Sequence, residues 1–148
     1  MTTTVSSLSY ADRAQGMAPI VYVAIVDDDD AVRRALARLL RAHSFHVRTY
    51  QSGREFLASL NIGVPACLIV DLQMDDMTGL ELLHHLAGAG RRIPAIVVTA
   101  RDEPGMDLYQ FPGAVVLLIK PVMRDLLLQA IKAALSAPDS AGAQAVCW

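Results

Sequence analysis

Several things are scarce in this sequence, and each shortage excludes a class of protein. Only two cysteines occur in 148 residues, Cys67 and Cys147. They cannot make the disulfide framework of a small secreted scaffold, and they lack the paired spacing of a zinc site. Cys147 is next to last rather than fourth from the end, so the tail is not a prenylation signal. No stretch approaches the roughly 18 apolar residues of a membrane span. The first 18 residues lack a basic start followed by an apolar run and do not read as a secretory signal, so the cytoplasm is the expected location. Glutamate is rare, with three of the 15 acids, and lysine rarer, with two of the 13 bases. What the chain does have is apolar bulk: 53% hydrophobic residues, enough for one ordinary domain and too much for disorder outside the tails. The expected organisation is a flexible N-terminal tail over 1–18, one domain over 19–136 and a C-terminal tail over 137–148.

The net charge of −2 hides an uneven distribution. Twelve of the acids are aspartate, and seven of these lie in two clusters, Asp27, Asp28, Asp29 and Asp30, then Asp71, Asp75 and Asp76. Concentrated carboxylates repel one another, which raises their pKa values unless a cation is near.

Five short apolar runs rich in β-branched residues read as strands: 21–26, 46–50, 67–70, 95–99 and 115–119. Four are nearly continuous, the pattern of strands buried on both faces, whereas 46–50 alternates as an edge strand does. Helical periodicity falls between them. Val32, Leu36, Leu39 and Leu40 make one apolar stripe, with Arg33, Arg34, Arg38 and Arg41 mostly on the other side. Ser52-Gly53-Arg54-Glu55 and Thr78-Gly79-Leu80-Glu81 have the form of capping boxes. Leu127, Ile131, Ala134 and Leu135 mark a last helix before Pro138. Between 101 and 112, Pro104, Gly105 and Pro112 leave room for only a short fourth helix around 106–111. Strand and helix alternating five times predict an α/β fold, a doubly wound five-stranded parallel sheet.

In such a sheet ligands bind at the carboxyl ends of the strands. Asp27 and Asp28 follow the first strand, Asp71 ends the third, Thr99 the fourth, and Lys120 follows the fifth. Hard oxygen ligands with room for water suit Mg²⁺. A carboxylate can act as nucleophile toward phosphorus, and the transferred group has three negative oxygens for a cation, an ammonium and a hydroxyl to neutralise. The set holds each of those parts.

Five motifs in order carry a resemblance: Ile25-Val26-Asp27-Asp28-Asp29; Leu68-Ile69-Val70-Asp71-Leu72-Gln73-Met74; Thr78-Gly79-Leu80-Glu81-Leu82; Val97-Val98-Thr99-Ala100; and Lys120-Pro121. Together they resemble the receiver domains of two-component response regulators, the CheY-like type, over about residues 20–136. The resemblance implies a flavodoxin-like (βα)5 fold with strand order 2-1-3-4-5. It implies that Asp71 accepts a phosphoryl group, that Asp27 and Asp28 position Mg²⁺ with Asp71 and the main-chain carbonyl of Gln73, and that Thr99 and Lys120 bind phosphoryl oxygens. It further implies a small residue at Ala100, a cis Lys120-Pro121 bond, and a role for Gln73 and Arg101 in the lifetime of the phosphoryl group. The implied donor is a histidine kinase or phosphotransfer protein, the output an unidentified downstream protein, with a possible homodimer through the face of the fourth and fifth helices. A stand-alone receiver is expected, without direct DNA binding or membrane contact.

Two positions depart from the family pattern. Asp75 replaces the usual proline after Met74. Leu117 stands where an aromatic residue is usual, three positions before Lys120, with Tyr109 or Phe111 as possible replacements for the ring. These departures motivate a second reading, a receiver-like interaction module that does not switch. A hydrolase with an aspartate nucleophile is disfavoured, because haloacid-dehalogenase-type phosphatases carry a second aspartate where Gln73 stands. Simpler readings cover the rest. Asp30, with Asp29, reads as helix capping. His84, His85, His43 and His46 read as surface residues without partners at ligand spacing. The arginine face of the first helix reads as solvated or as a contact for a protein partner.

Overall fold

Each apolar run becomes a strand. The computed structural model describes residues 20–100, 110–136 and 146–147. In it β1 (Tyr22–Val26), β2 (His46–Tyr50), β3 (Cys67–Asp71), β4 (Ala95–Thr99) and β5 (Ala114–Ile119) pair in parallel in the order β2-β1-β3-β4-β5. The expected order therefore holds. β1, β3 and β4 are buried at every position, which is why they read as unbroken hydrophobic runs. β2 lies at the edge and buries only Val47 and Tyr50.

A sixth strand, β6 (Val146–Cys147), pairs in parallel with β5 at Val116 and Leu117. These two residues lie in the tail expected over 137–148, and two residues are too few to show a period in the sequence. The short helix expected around 106–111 lies outside the described residues except for Gln110 and Phe111.

Successive side chains of a strand point to opposite faces, so the helices close two separate cores. On one face α2 (Gly53–Ser59) and α3 (Gly79–Gly88) pack Phe56, Leu82, Leu83 and Leu86 against Ala24, Val26, Leu68, Val70 and Val97. On the other, α1 (Asp30–Ala42) and α4 (Arg124–Leu135) pack Ala37, Leu40, Leu127 and Ile131 against Val23, Ile25, Ile69, Ile96 and Val98. Leu135, expected in the stripe of the last helix, is 40% exposed at the helix end, and Ala130 is buried in its place.

Local chemistry sets where the helices start. Thr78 and Glu81 form a complete capping box: the hydroxyl accepts from the Glu81 N–H and the carboxylate accepts from the Thr78 N–H. Ser52 caps α2 through the Glu55 N–H, but the Glu55 carboxylate accepts from Gln51 N–H instead, so that box is not reciprocal. α1 is capped by Asp29, whose carboxylate accepts from Ala31 and Val32 N–H. Asp30 is not the cap. It is the first helical residue, and it pairs with Arg33 and Arg34.

Candidate functional site

The sheet order reverses between β1 and β3, since β1 has β2 on one side and β3 on the other. A crevice opens at the carboxyl ends of the strands at such a point. Asp27 directly follows β1 there and Asp71 is the last residue of β3. Hydrogen bonds just past the strand ends hold the loops in place. Asp27 N–H donates to Tyr50 O at 3.1 Å, Leu72 N–H to Val98 O at 2.8 Å and Lys120 N–H to Thr99 O at 2.8 Å.

These anchors gather the predicted residues. Asp27 and Asp71 are 3% and 5% exposed, Thr99 is fully buried, and Asp28 stands at the exposed rim. Carboxylate oxygens of Asp27, Asp28 and Asp71 lie within 4.8 Å of one another. Lys120 Nζ lies 3.3 Å from Asp71 Oδ2, and Gln73 N–H donates to Asp71 Oδ1 at 3.3 Å. The Lys120-Pro121 peptide bond is cis. Ala100 is exposed beside Thr99, and Arg101 lies outside the described residues.

Burial pushes the Asp27 carboxyl up to about 6, with the charges of Asp71 and Asp28 adding to it. The Asp29 N–H, which donates to Asp27 Oδ1 at 2.9 Å, and the Lys120 ammonium oppose the rise without cancelling it. A buried carboxylate beside two others is a poor arrangement by itself and a good one around a small divalent cation. All three donors are hard oxygens, the set that Mg²⁺ prefers, and the exposed rim at Asp28 leaves room for water ligands.

Close approach at the base of the site depends on Gly79. A Cβ there would stand 2.6 Å from Asp71 O and 2.9 Å from Leu72 Cα, so α3 starts against the backbone that presents Asp71 only because residue 79 has no side chain. The Gly79 N–H donates to Leu72 O at 2.9 Å, which fixes the turn.

One contributor escaped the sequence reading. Arg33, expected on the solvated arginine face, has a side chain only 13% exposed, and its guanidinium donates to Asp27 O at 2.7 Å. The signal was present: Arg33 stands three, four and seven residues before Leu36, Ala37 and Leu40, on the inward stripe. Arg34 and Arg38 do lie on the exposed face, as do His84 and His85 on α3. Asp76 pairs with Arg54 of α2 at 2.8 Å, an exposed contact that contributes little. Phe111 is buried in the same core as Leu117, whereas Tyr109 lies outside the described residues.

Among the described residues no helix is long and apolar enough to cross a membrane. Comparison with known proteins agrees with the geometry. The model of the response regulator receiver domain family matches residues 23–132. The response regulator protein TodT of Pseudomonas putida is 36% identical over 119 residues, 80% of this chain and 52% of that protein. The transcriptional regulatory protein FixJ of Rhizobium meliloti is 37% identical over 113 residues, 76% of this chain and 55% of that protein. This chain thus spans about half the length of these curated relatives. Among solved structures, the FixJ-N crystal structure superposes with a TM-score of 0.73 at 34% identity, covering 82% of this chain and 98% of that one. A receiver protein from Burkholderia phymatum superposes with a TM-score of 0.67 at 36% identity, covering 80% and 97%. With motifs, sheet order and acidic pocket in agreement, the chain belongs to the receiver domain family of two-component response regulators.

Proposed function

We propose that this receiver takes a phosphoryl group from the phosphohistidine of a histidine kinase or phosphotransfer protein onto Asp71, with Mg²⁺ held by Asp27, Asp28, Asp71 and the Gln73 carbonyl. The observation that carries the reading is the meeting of three carboxylates and one ammonium at the carboxyl edge of the sheet, with Lys120 3.3 Å from Asp71. An Asp71 oxygen attacks phosphorus, a P–O bond forms as the P–N bond breaks, and the leaving imidazole nitrogen takes its proton from solvent. Each Asp71 oxygen holds one contact, Oδ1 with the Gln73 N–H and Oδ2 with Lys120 Nζ, so the attacking oxygen must give up its own. The flexible Lys120 stem lets the ammonium follow the charge onto a phosphoryl oxygen, and the Thr99 hydroxyl serves another. The cation, when bound, neutralises the repulsion among the carboxylates and the incoming phosphoryl oxygens. Water later cleaves the acyl phosphate, with Gln73 beside its path.

The domain, spanning 19–136, would signal in the cytoplasm through protein contacts, including a second copy of itself. Incubation with acetyl phosphate and Mg²⁺ should add the mass of one phosphoryl group, and Asp71→Asn should abolish it. A wild-type protein that never gains the mass refutes the reading. The alternative, an interaction module that does not switch, draws on Leu117, which is packed in the core in the usual ring's place. Amide spectra with and without beryllofluoride separate the two, because changes confined to the pocket favour the alternative.

A further inference from the structure

The aspartates of the β1–α1 loop are each held differently. Asp27 Oδ1 accepts from the Asp29 N–H, and Asp29 accepts from the first turn of α1, so both are fixed from within their own segment. Asp28 is held from across the pocket. Its Oδ2 accepts from the main-chain N–H of Asp75, 47 residues away, at 3.1 Å. Donor and acceptor line one cavity of about 660 Å³ together with Gln73, Met74 and Thr78. The same β3–α3 segment supplies the Gln73 N–H that meets Asp71 Oδ1. Two of the three carboxylates therefore take their aim from the backbone of one loop.

We infer that Asp75 is a positioning residue whose backbone N–H aims Asp28 at the divalent-cation site and ties cation binding to the conformation of the β3–α3 loop. This rests on the function proposed above. The contribution is main-chain, so any residue except proline can supply it. That explains how an acid is tolerated here: the Asp75 side chain is exposed, while its amide does the work. A carboxylate aimed in advance loses less freedom on binding a cation than one that turns freely, and groups that orient metal ligands typically contribute 10- to 100-fold to affinity.

Two variants at one position isolate the effect. Asp75→Asn and Asp75→Pro both remove the carboxylate, but only the second removes the N–H. Mn²⁺ affinity, read by electron paramagnetic resonance, should fall about 10-fold from Asp75→Asn to Asp75→Pro, while Asp75→Asn stays within about 2-fold of wild type, since both groups are exposed and screened. In the cation-free wild type the residue 75 amide should exchange slowly with solvent, and Asp28→Ala should release it. Equal affinities for the two variants, tighter binding by Asp75→Pro, or an unprotected residue 75 amide overturns the inference. The exchange measurement needs no proline variant, so it decides the matter even if Asp75→Pro does not fold. Acetyl phosphate labelling at saturating Mg²⁺ separates the two readings: absence of label on Asp71 in wild type refutes the phosphoacceptor role and leaves the cation measurements to decide on Asp75.

Discussion

Replacing Asp27 by asparagine should stabilise the cation-free protein, although it removes a residue at the centre of the site. The carboxyl of Asp27 is 3% exposed and its pKa is pushed from 3.8 to about 6, chiefly by burial. The folded state therefore favours the neutral form. Stability from this group is complete below about pH 4 and is lost as pH rises through about 6, because the unfolded chain ionises first. The full shift corresponds to about 3 kcal/mol at pH 8. Part of that penalty belongs to the shared repulsion with Asp71 and Asp28, so a gain of about 1–3 kcal/mol is expected for Asp27→Asn. The asparagine oxygen can still accept from the Asp29 N–H, so no hydrogen bond need be lost.

Urea unfolding in EDTA checks this. With a slope of about 1.5 kcal/mol/M, the midpoint of Asp27→Asn should exceed that of wild type by about 0.7–2 M at pH 8, and the difference should nearly vanish at pH 4. Saturating Mg²⁺ should reverse the order, raising wild type by about 3 kcal/mol at a hundredfold excess over the dissociation constant while leaving the variant little changed. A variant less stable than wild type at pH 8 without cation, or a difference that does not vary with pH, would refute the reasoning about burial.

Other perturbations follow from single contacts. Gly79→Ala should cost about 1–3 kcal/mol in urea unfolding and slow acetyl phosphate labelling, since the added methyl must push α3 away from Asp71 O. Arg33→Ala should lower stability by about 1–2 kcal/mol, because the Asp27 carbonyl loses a charged donor; exposed Arg38→Ala is the control and should change little. The Cys67 thiol, fully buried and pushed up to about 12, should resist alkylation at pH 8 in a Cys147→Ser background until urea unfolds the domain.

The sequence exposes side chains, and the features it revealed were those that side chains carry. Strands buried on both faces leave an unbroken apolar signature, and carboxylates at their ends stand out because they break it. Hence β4 appears at its observed limits, and the carboxylates of Asp27, Asp28 and Asp71 lie together with Lys120 beside Asp71, while Thr99 is buried at the end of β4. What stayed hidden belongs to the backbone or to fine register. The Asp75 amide has no letter of its own, so its acid drew attention instead. Asp29 alone caps α1, and Asp30 begins the helix, because capping depends on which residue takes the extended conformation, a difference of one position in a run of four identical residues. Arg33 carries a charge that masks its inward position in the helical period.

The pairing of β6 with β5 has a consequence outside signalling. β5 is an entirely apolar strand, Ala-Val-Val-Leu-Leu-Ile, and β4 occupies one of its sides. Open apolar edges of this kind are templates for adding a strand from another molecule, the first step of edge-to-edge aggregation. Val146 and Cys147 occupy part of that edge with the protein's own backbone, beside Val116 and Leu117. The opposite edge, β2, is protected in a different way, by exposed His46, Arg48 and Thr49. One border of the sheet is thus guarded by polar side chains and the other, over two residues, by the chain's own backbone.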